Sequence, residues 1–196
     1  MALYTNLQKN ETYNNARGKL VVYNSETARW SVKLLSLSGR LLLPCDLDGQ
    51  LAAQLNQQQL DCDGYEKGIH IFDPLWWTAK QGVYDWVIAN TTGLKEETHY
   101  VLDYGIAIAN KGVIVLDRLS FLEPVAKRRK LFQNCKLSDL MIFSPRPQFS
   151  TVSKSRDSVT SAWFVFRQPK NWMDGTNIEF LVDWQSVPPL SLNHSA

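Results

Sequence analysis

The 196-residue sequence predicts an α/β fold, built on a mostly parallel sheet with an antiparallel C-terminal hairpin. Short apolar segments that suit buried strands alternate with helix-like segments up to about residue 135. Two neighbouring strand-like segments then flank a long loop, which indicates the antiparallel end of the sheet. A hydrophobic content of 44% with seven Trp residues indicates a globular chain with a sizeable core.

The first 72 residues predict an N-terminal arm followed by short elements. Residues 1–24 contain many Asn, Gln and Tyr and few packing residues, which indicates a loose arm. Residues 25–35 predict a helix, because Ser25 suits an N-cap and Val32 and Leu35 recur at helical spacing after Ala28. The other elements predicted here are a strand over 40–43, a helix over 50–59, a very short strand within 60–68 and a further strand over 69–72.

The rest of the sequence continues the alternation and then ends in the predicted hairpin. The four residues 113–116 are all apolar and form the clearest buried strand of the chain. The other predicted elements are a strand over 86–89, a helix over 96–110, a basic helix over 124–132, hairpin strands over 140–143 and 162–166, and an edge strand over 178–184. The predicted organisation is one domain over 25–168, between the arm and a C-terminal extension over 169–196.

Charge and composition limit the classes of function. The formal net charge of +2 is nearly neutral, so contact with a nucleic acid requires a local basic patch. No segment approaches the roughly 20 apolar residues of a membrane helix, and the N-terminus lacks the apolar core of a signal peptide. The cysteines Cys45, Cys62 and Cys135 form no CxxC pair, which indicates reduced thiols and a cytoplasmic protein. The isolated histidines predict no metal site.

The end of the strand over 86–89 is the first candidate site. Four apolar residues lead directly into Asn90 and then into a turn of small residues. In an open α/β sheet, ligands bind at the carboxyl ends of the strands. Asn90 and Thr91 are therefore candidate functional residues, although a strand-ending Asn also suits a simple turn.

Several motifs occur in an order that resembles one known family. The segment Leu42-Leu43-Pro44-Cys45-Asp46-Leu47-Asp48-Gly49 lies between the first strand and the helix that follows it. Further matching segments cover 112–123, 144–150 and 158–166. Together these segments resemble the small adenine-specific (N6) DNA methyltransferases of phages and bacterial genomes, over roughly residues 26–168.

This resemblance implies a Rossmann-like class I methyltransferase domain with S-adenosylmethionine as its cofactor. Such a domain is a three-layer sandwich, in which helices cover both faces of a mostly parallel seven-stranded sheet. An acid at the end of the second strand would hold the cofactor ribose, and either Asp61 or Asp63 fits that position. Asp48 and Asp73 each have an alternative role as the cap of a helix or turn. The cofactor-binding residues that the resemblance implies are Pro44, Cys45, Asp48, Gly49, one of Asp61 and Asp63, and Asp73 beside the adenine.

The catalytic motif of that family is altered in this sequence. The family uses Asn-Pro-Pro-aromatic, in which the Asn side chain and a proline carbonyl accept the two protons of the adenine amine and the aromatic ring stacks on the flipped base. Here the motif is Asn90-Thr91-Thr92-Gly93, so Asn90 and the Thr91 carbonyl remain as acceptors. Threonines do not lock the turn as prolines do, and Gly93 cannot stack on a base. The sequence therefore predicts weak or lost adenine methylation.

Two further functions stay open at this point. The chain can be a catalytically inactive pseudo-methyltransferase that acts as a nucleic-acid or protein-binding module. It can also be a methyltransferase of a non-DNA acceptor. The oligomeric state is not predicted.

DNA is a candidate partner because of one basic segment. The run over 127–130 lies in the predicted basic helix, and two arginines lie near the long loop. Such a run also suits a solvated helix face. The candidate nucleic-acid residues are Lys127, Arg128, Arg129, Lys130, Arg146 and Arg156.

Overall fold

The computed structural model describes residues 20–24, 29–34, 37–46, 49–57, 60–64, 71–92, 97–123, 125–146, 159–171 and 175–182. Within these ranges the chain forms nine β-strands, four α-helices and two short 3₁₀ helices. The strands are β1 Leu20–Asn24, β2 Arg29–Leu34, β3 Leu41–Leu42, β4 Cys62–Asp63, β5 Trp86–Asn90, β6 Gly112–Arg118, β7 Lys136–Phe143, β8 Ser161–Arg167 and β9 Asn177–Leu181. The helices are α1 Gln50–Gln57, α2 Pro74–Thr78, α3 Glu97–Ile108 and α4 Ala126–Asn134, with 3₁₀ helices at Leu119–Leu122 and Pro169–Asn171.

Seven of these strands form the central sheet, in the order β4-β3-β5-β6-β8-β7-β9. Only β8 runs antiparallel to its neighbours β6 and β7, and every other pair of neighbours is parallel. The predicted mostly parallel sheet of seven strands with an antiparallel hairpin is therefore confirmed. The two-residue strands β3 and β4 lie at one side of this sheet.

Side chains of the central strands pack into two apolar clusters, one on each face of the sheet. On β5, Val87 and Ala89 belong to one cluster, whereas Trp86 and Ile88 belong to the other. This alternation follows from the two-residue repeat of a strand, and both faces are apolar because both are covered. Helix α1 covers one face through Ala52 and Leu55, and the other face is covered by α2, α3 and α4 through Trp77, Val101, Leu102 and Leu131.

The predicted helix over residues 25–35 is wrong. Residues Arg29–Leu34 form β2, which pairs antiparallel with β1 in a separate two-stranded sheet. The sequence explains this outcome, because Trp30, Val32 and Leu34 alternate with polar residues at a period of two. The same pairing corrects the loose arm at its end, since residues 20–24 form β1, while residues 1–19 lie outside the described ranges.

The predicted strand over residues 69–72 is also wrong where the structure describes it. Ile71 and Phe72 form a turn that leads into α2. The side chain of Asp73 accepts a hydrogen bond from the Leu75 N–H at 2.9 Å, and Pro74 occupies the first position of the helix. An N-cap followed by proline starts a helix and ends an extended segment. The sheet still has seven strands because β9 joins its opposite edge.

The remaining predicted elements are confirmed with shifted ends. The basic helix, for example, begins at Ala126 and ends at Asn134, and the first hairpin strand begins earlier, at Lys136. The edge strand predicted within 178–184 is β9, which pairs with β7. Among the helices in the described ranges, none has the length and apolar character needed to cross a membrane.

Candidate functional site

The sheet order creates a crevice between the ends of β3 and β5. From β3 the chain passes through α1 to β4 on one side, and from β5 it passes through α3 to β6 on the other side. The loops that leave β3 and β5 therefore diverge at the carboxyl edge of the sheet. In open α/β sheets, such a point of divergence is where ligands bind.

The loop after β3 places three of the predicted cofactor residues at this edge. Pro44 is buried, Cys45 is half-buried, and Gly49 is exposed with φ +68°. A positive φ of this size favours glycine, so Gly49 allows the tight entry into α1. Leu43 is fully buried in the core, and Asp48 lies outside the described ranges.

Asp46, which the sequence did not single out, caps helix α1. Its Oδ1 accepts a hydrogen bond from the Leu51 N–H at 3.2 Å, and its Oδ2 accepts one from the Ala52 N–H at 2.8 Å. The cap that was considered for Asp48 is thus formed by Asp46. A carboxylate here satisfies amide groups that would otherwise attract an anion to the helix N-terminus.

The two acids considered for the ribose have different positions. Asp63 ends β4, and its Oδ2 accepts a hydrogen bond from the Tyr84 hydroxyl at 2.6 Å. The same oxygen lies 2.9 Å from a terminal nitrogen of Arg40. Asp61 precedes β4, is largely exposed and lies 3.6 Å from Nε of Arg40. Of the two acids, only Asp63 lies at the carboxyl end of its strand.

Asp73 lies at the start of α2, in a segment that aromatic side chains anchor. It is exposed and caps the helix, as its alternative role predicted. The indole N–H of Trp77 donates to the Ile71 carbonyl at 2.7 Å, and Phe72 packs edge-on against Tyr100 of α3, with ring centroids 4.8 Å apart. These contacts place Asp73 beside α3, and its contact with a cofactor stays a prediction.

The polar side chains at the end of β5 form hydrogen bonds within the protein. Oδ1 of Asn90 accepts a hydrogen bond from the Thr92 N–H at 3.1 Å. Thr91 is completely buried, and its hydroxyl lies 3.2 Å from the Leu116 carbonyl oxygen and 3.3 Å from Oδ2 of Asp117. The two predicted catalytic residues therefore stabilise their own turn.

Asp117 is a site residue that sequence reasoning missed. It is only 8% exposed, and its Oδ2 accepts a hydrogen bond from the Thr98 hydroxyl at 2.9 Å. Its Oδ1 accepts the Arg118 N–H at 2.7 Å. Burial raises the pKa of Asp117, against the opposing effect of these hydrogen bonds. The available signal was an acid that directly follows the buried run over 113–116, on the strand adjacent to β5.

The raised pKa of Asp117 predicts a pH dependence of stability. A carboxyl with a higher pKa in the folded than in the unfolded state stabilises the fold fully below its ordinary pKa of 3.8, and this contribution is lost as the pH rises through the folded-state pKa. Asp117→Asn removes this titration. We expect the free energy of unfolding of the wild type, relative to the variant, to fall as the pH rises above the ordinary pKa of 3.8. Urea unfolding at several pH values measures this difference, and a difference that stays constant or grows with pH contradicts the prediction.

Glu97, in the first turn of α3, is a second residue that sequence reasoning missed. Burial, and then the charge of Glu97, raise the pKa of Cys45 to about 12. The charge of Glu97, at the start of α3, therefore acts on the loop after β3. Burial, followed by the charges of Asp61, Asp63 and Asp46, likewise raises the pKa of Cys62 to about 12. Both thiols are neutral at physiological pH, and carboxylates surround them, of which Asp61 and Asp63 pair with Arg40.

The predicted nucleic-acid residues differ in their surroundings. A terminal nitrogen of Arg128 donates to the carbonyls of Ser120 at 2.7 Å and Phe121 at 3.2 Å. Its guanidinium also lies 5.1 Å from the centroid of the Phe121 ring, so Arg128 stabilises the end of a 3₁₀ helix. Arg129 and Arg146 are exposed. The side chains of Lys127 and Lys130, and all of Arg156, lie outside the described part of the chain.

Comparison of the sequence with protein-family models gives no match, and comparison with curated proteins gives none either. The fold is similar to several solved structures at low identity. Phosphoethanolamine N-methyltransferase 2 of Haemonchus contortus, in complex with phosphomonomethylethanolamine and S-adenosylhomocysteine, is 11% identical with a TM-score of 0.41, over 68% of this chain and 34% of that one. A candidate class I S-adenosylmethionine-dependent methyltransferase of Listeria monocytogenes is 9% identical with a TM-score of 0.42, over 74% and 59%.

The modification subunit of a candidate type I restriction enzyme of Vibrio vulnificus is 11% identical with a TM-score of 0.43, over 85% of this chain and 48% of that one. This chain spans about a third of the length of the Haemonchus enzyme and about half of the Vibrio subunit. At these identities the similarity concerns the fold alone.

Proposed function

We propose that this chain binds S-adenosylmethionine in the crevice between β3 and β5, and that it is related to DNA adenine-N6 methyltransferases with weak or lost methylation activity. The observation that carries this proposal is the acidic lining of the crevice. Asp46 lies in the loop after β3, Asp63 ends β4 beside Arg40, and the charge of Glu97 at the start of α3 acts on Cys45 in that loop. A cationic ligand fits such a lining.

The cap on α1 argues against a phosphate-bearing cofactor. Dinucleotides place their pyrophosphate on the free N–H groups of the helix that follows the first strand. Here Asp46 accepts two of those N–H groups, and its negative charge would repel a phosphate. S-adenosylmethionine carries no phosphate, and its two cationic groups, the sulfonium and the ammonium, outnumber its one carboxylate. The crevice therefore favours this cofactor over nicotinamide or adenine nucleotides.

The residues expected to contact the cofactor follow from their places around the crevice. Pro44, Cys45 and Gly49 would border its methionine part, and Asp63 would accept hydrogen bonds from the ribose hydroxyls. Both Asp63 and the loop after β3 lie at the carboxyl edge of the sheet, which supports this assignment. Asp73, beside α3, would lie near the adenine.

Weak or lost adenine methylation follows from the hydrogen bonds at the end of β5. Methylation of an adenine amine requires acceptors that hold both amine protons in a fixed geometry. Oδ1 of Asn90 already accepts the Thr92 N–H at 3.1 Å. To accept an amine proton as well, it would have to share or exchange this bond. We therefore expect this chain to bind the cofactor but to methylate adenine weakly or not at all.

Contact with DNA is a separate part of the proposal. Arg129 and Arg146 are exposed cations that could contact phosphates of DNA. Arg128, by contrast, forms hydrogen bonds within the 3₁₀ region. We expect any DNA binding to be weak and strongly dependent on salt.

The charge of Glu97 provides the test of cofactor binding. Two unit charges about 5 Å apart attract by about 3 kcal/mol at an effective dielectric constant of about 20, and solvent reduces this value. Glu97→Gln is therefore expected to weaken binding of S-adenosylmethionine on the order of tenfold. Binding of S-adenosylhomocysteine, which has a neutral thioether, should change less. Calorimetric titration of both ligands measures the two effects.

Asp103→Asn is the matched control. It removes one negative charge from the same helix, at an exposed residue whose charge acts on Cys135 and not on Cys45. We expect this variant to bind both ligands as the wild type does. A cationic ligand beside Glu97 would be contradicted if Glu97→Gln and Asp103→Asn weakened binding of S-adenosylmethionine equally. It would also be contradicted if Glu97→Gln weakened binding of the two ligands equally.

A further inference from the structure

We propose that Asp117 is a positioning residue that holds the turn after β5 and the first turn of α3 in fixed relation, in place of the prolines that the altered motif lacks. This inference rests on the proposed function for its consequence, because the two turns border the proposed cofactor crevice. The positioning role itself depends only on hydrogen bonds within the ligand-free protein.

Asp117 joins two segments that follow each other along the chain. Its Oδ2 lies 2.9 Å from the Thr98 hydroxyl, in the first turn of α3, and 3.3 Å from the Thr91 hydroxyl, directly after β5. All three residues are buried, with Thr91 at 0%, Thr98 at 2% and Asp117 at 8% exposure. One carboxylate oxygen on β6 therefore contacts both segments from below the crevice.

The other oxygen fixes the carboxylate itself. Oδ1 accepts the Arg118 N–H at 2.7 Å, which sets the orientation of the group. The β5 turn is also held by its backbone, since the Thr91 N–H donates to the Leu116 carbonyl at 2.9 Å. Hydrogen bonds to a buried charged acceptor are stronger than neutral ones, because little water competes for the acceptor.

The hydrogen bonds to Asp117 fix the turn that two prolines would otherwise fix. In the motif that this sequence resembles, proline rings lock φ and so fix the turn. Thr91 stands at the first proline position, and its buried hydroxyl lies 3.2 Å from the Leu116 carbonyl oxygen and 3.3 Å from Oδ2 of Asp117, both on β6. Thr98 extends the same contact to the helix that carries Glu97. Asp117 therefore sets where Asn90 and Glu97 lie relative to each other, without itself contacting a ligand.

Amide hydrogen exchange of the ligand-free protein tests this role directly. Thr91→Val, Thr98→Val and Asp117→Asn each weaken the contact while changing side-chain size little. We expect exchange of the amides over 90–92 and 97–100 to rise by about tenfold to a hundredfold in each variant, and elsewhere in the sheet to rise less. Thr98→Ser keeps the hydroxyl and is expected to restore most of the protection.

Thr176→Val is the matched control, because its hydroxyl also donates to a backbone carbonyl, that of Leu137, at 2.8 Å on the opposite side of the sheet. Exchange over 90–100 should not change in this control. Uniform acceleration throughout the sheet, or unchanged exchange over these residues in Thr98→Val, would overturn the proposal.

Calorimetry with S-adenosylhomocysteine separates this inference from the proposed function. In a protein that binds the ligand, Thr98→Val should weaken binding on the order of tenfold, and Thr98→Ser should restore it. If the wild type binds no ligand, the proposed function fails, while the exchange experiment still supports or overturns the role of Asp117.

Discussion

Replacing Gly112 by alanine is expected to destabilise the fold by about 3 kcal/mol or more, which is a large part of the stability of a typical domain. Gly112 begins β6 and lies opposite Arg167 of β8. A Cβ atom at this position would lie 2.2 Å from the Phe166 carbonyl oxygen and 3.0 Å from the Arg167 Cα. Both contacts are to backbone atoms, so relief requires β6 and β8 to separate in the middle of the sheet.

Urea unfolding of Gly112→Ala measures this effect, with Gly175→Ala as the control. A Cβ atom at Gly175 meets nothing within 4 Å, although its φ of +85° disfavours alanine. The control should therefore lose only about 1–2 kcal/mol, from backbone strain alone. Equal losses in the two variants would show that the close approach of β6 and β8 is not what requires glycine at 112.

Replacing Trp77 by alanine is expected to lower the free energy of unfolding by about 3–5 kcal/mol. Trp77 is completely buried and stacks on Tyr104 of α3, with ring centroids 6.0 Å apart. Its indole N–H also donates to the Ile71 carbonyl at 2.7 Å. The substitution leaves a cavity between α2 and α3 and a carbonyl without its partner.

Trp77→Phe separates the contribution of ring packing from that of the indole hydrogen bond. Phenylalanine keeps an aromatic ring but lacks the N–H, so we expect a smaller loss of about 1–3 kcal/mol. Urea unfolding of both variants gives the comparison. If Trp77→Phe is as destabilising as Trp77→Ala, then packing of the ring contributes little and the account of this cluster is wrong.

Much of the fold could be predicted because its strands are short, apolar and separated by recognisable helices. The run over 113–116 is buried on both faces, so its sequence is continuously apolar and has one interpretation. Residues 25–35 allowed two interpretations, because Val32 fits both the helical spacing and the two-residue alternation. Pairing with β1, which is a contact between separate segments, decides in favour of the strand.

The site was predictable only as a region. Strand ends were visible in the sequence, so Asn90 and the loop after β3 were identified. The role of Asp46, whose carboxylate accepts hydrogen bonds from α1, was not visible in the sequence. The approach of Glu97 to Cys45, and the contact of Asp117 with Thr98, join residues whose proximity depends on the folded sheet.

The same hydrogen bonds explain why identity of residue type does not establish activity here. Asn90 is retained, yet its Oδ1 accepts a backbone N–H of its own turn. Arg128 is a cation on the predicted basic helix, yet it donates to backbone carbonyls. The crevice, by contrast, depends on several carboxylates acting together. We therefore expect this chain to bind a cation-bearing cofactor and to transfer its methyl group weakly or not at all.

Calorimetric titration of the wild-type chain with S-adenosylmethionine, S-adenosylhomocysteine and NAD tests cofactor binding in the crevice. The acidic crevice and the Asp46 cap predict micromolar binding of the first two ligands and no measurable binding of NAD at the same concentrations. Circular dichroism of the same sample establishes that the protein is folded. Absence of heat from S-adenosylmethionine in folded protein, or binding of NAD with equal affinity, would contradict the account.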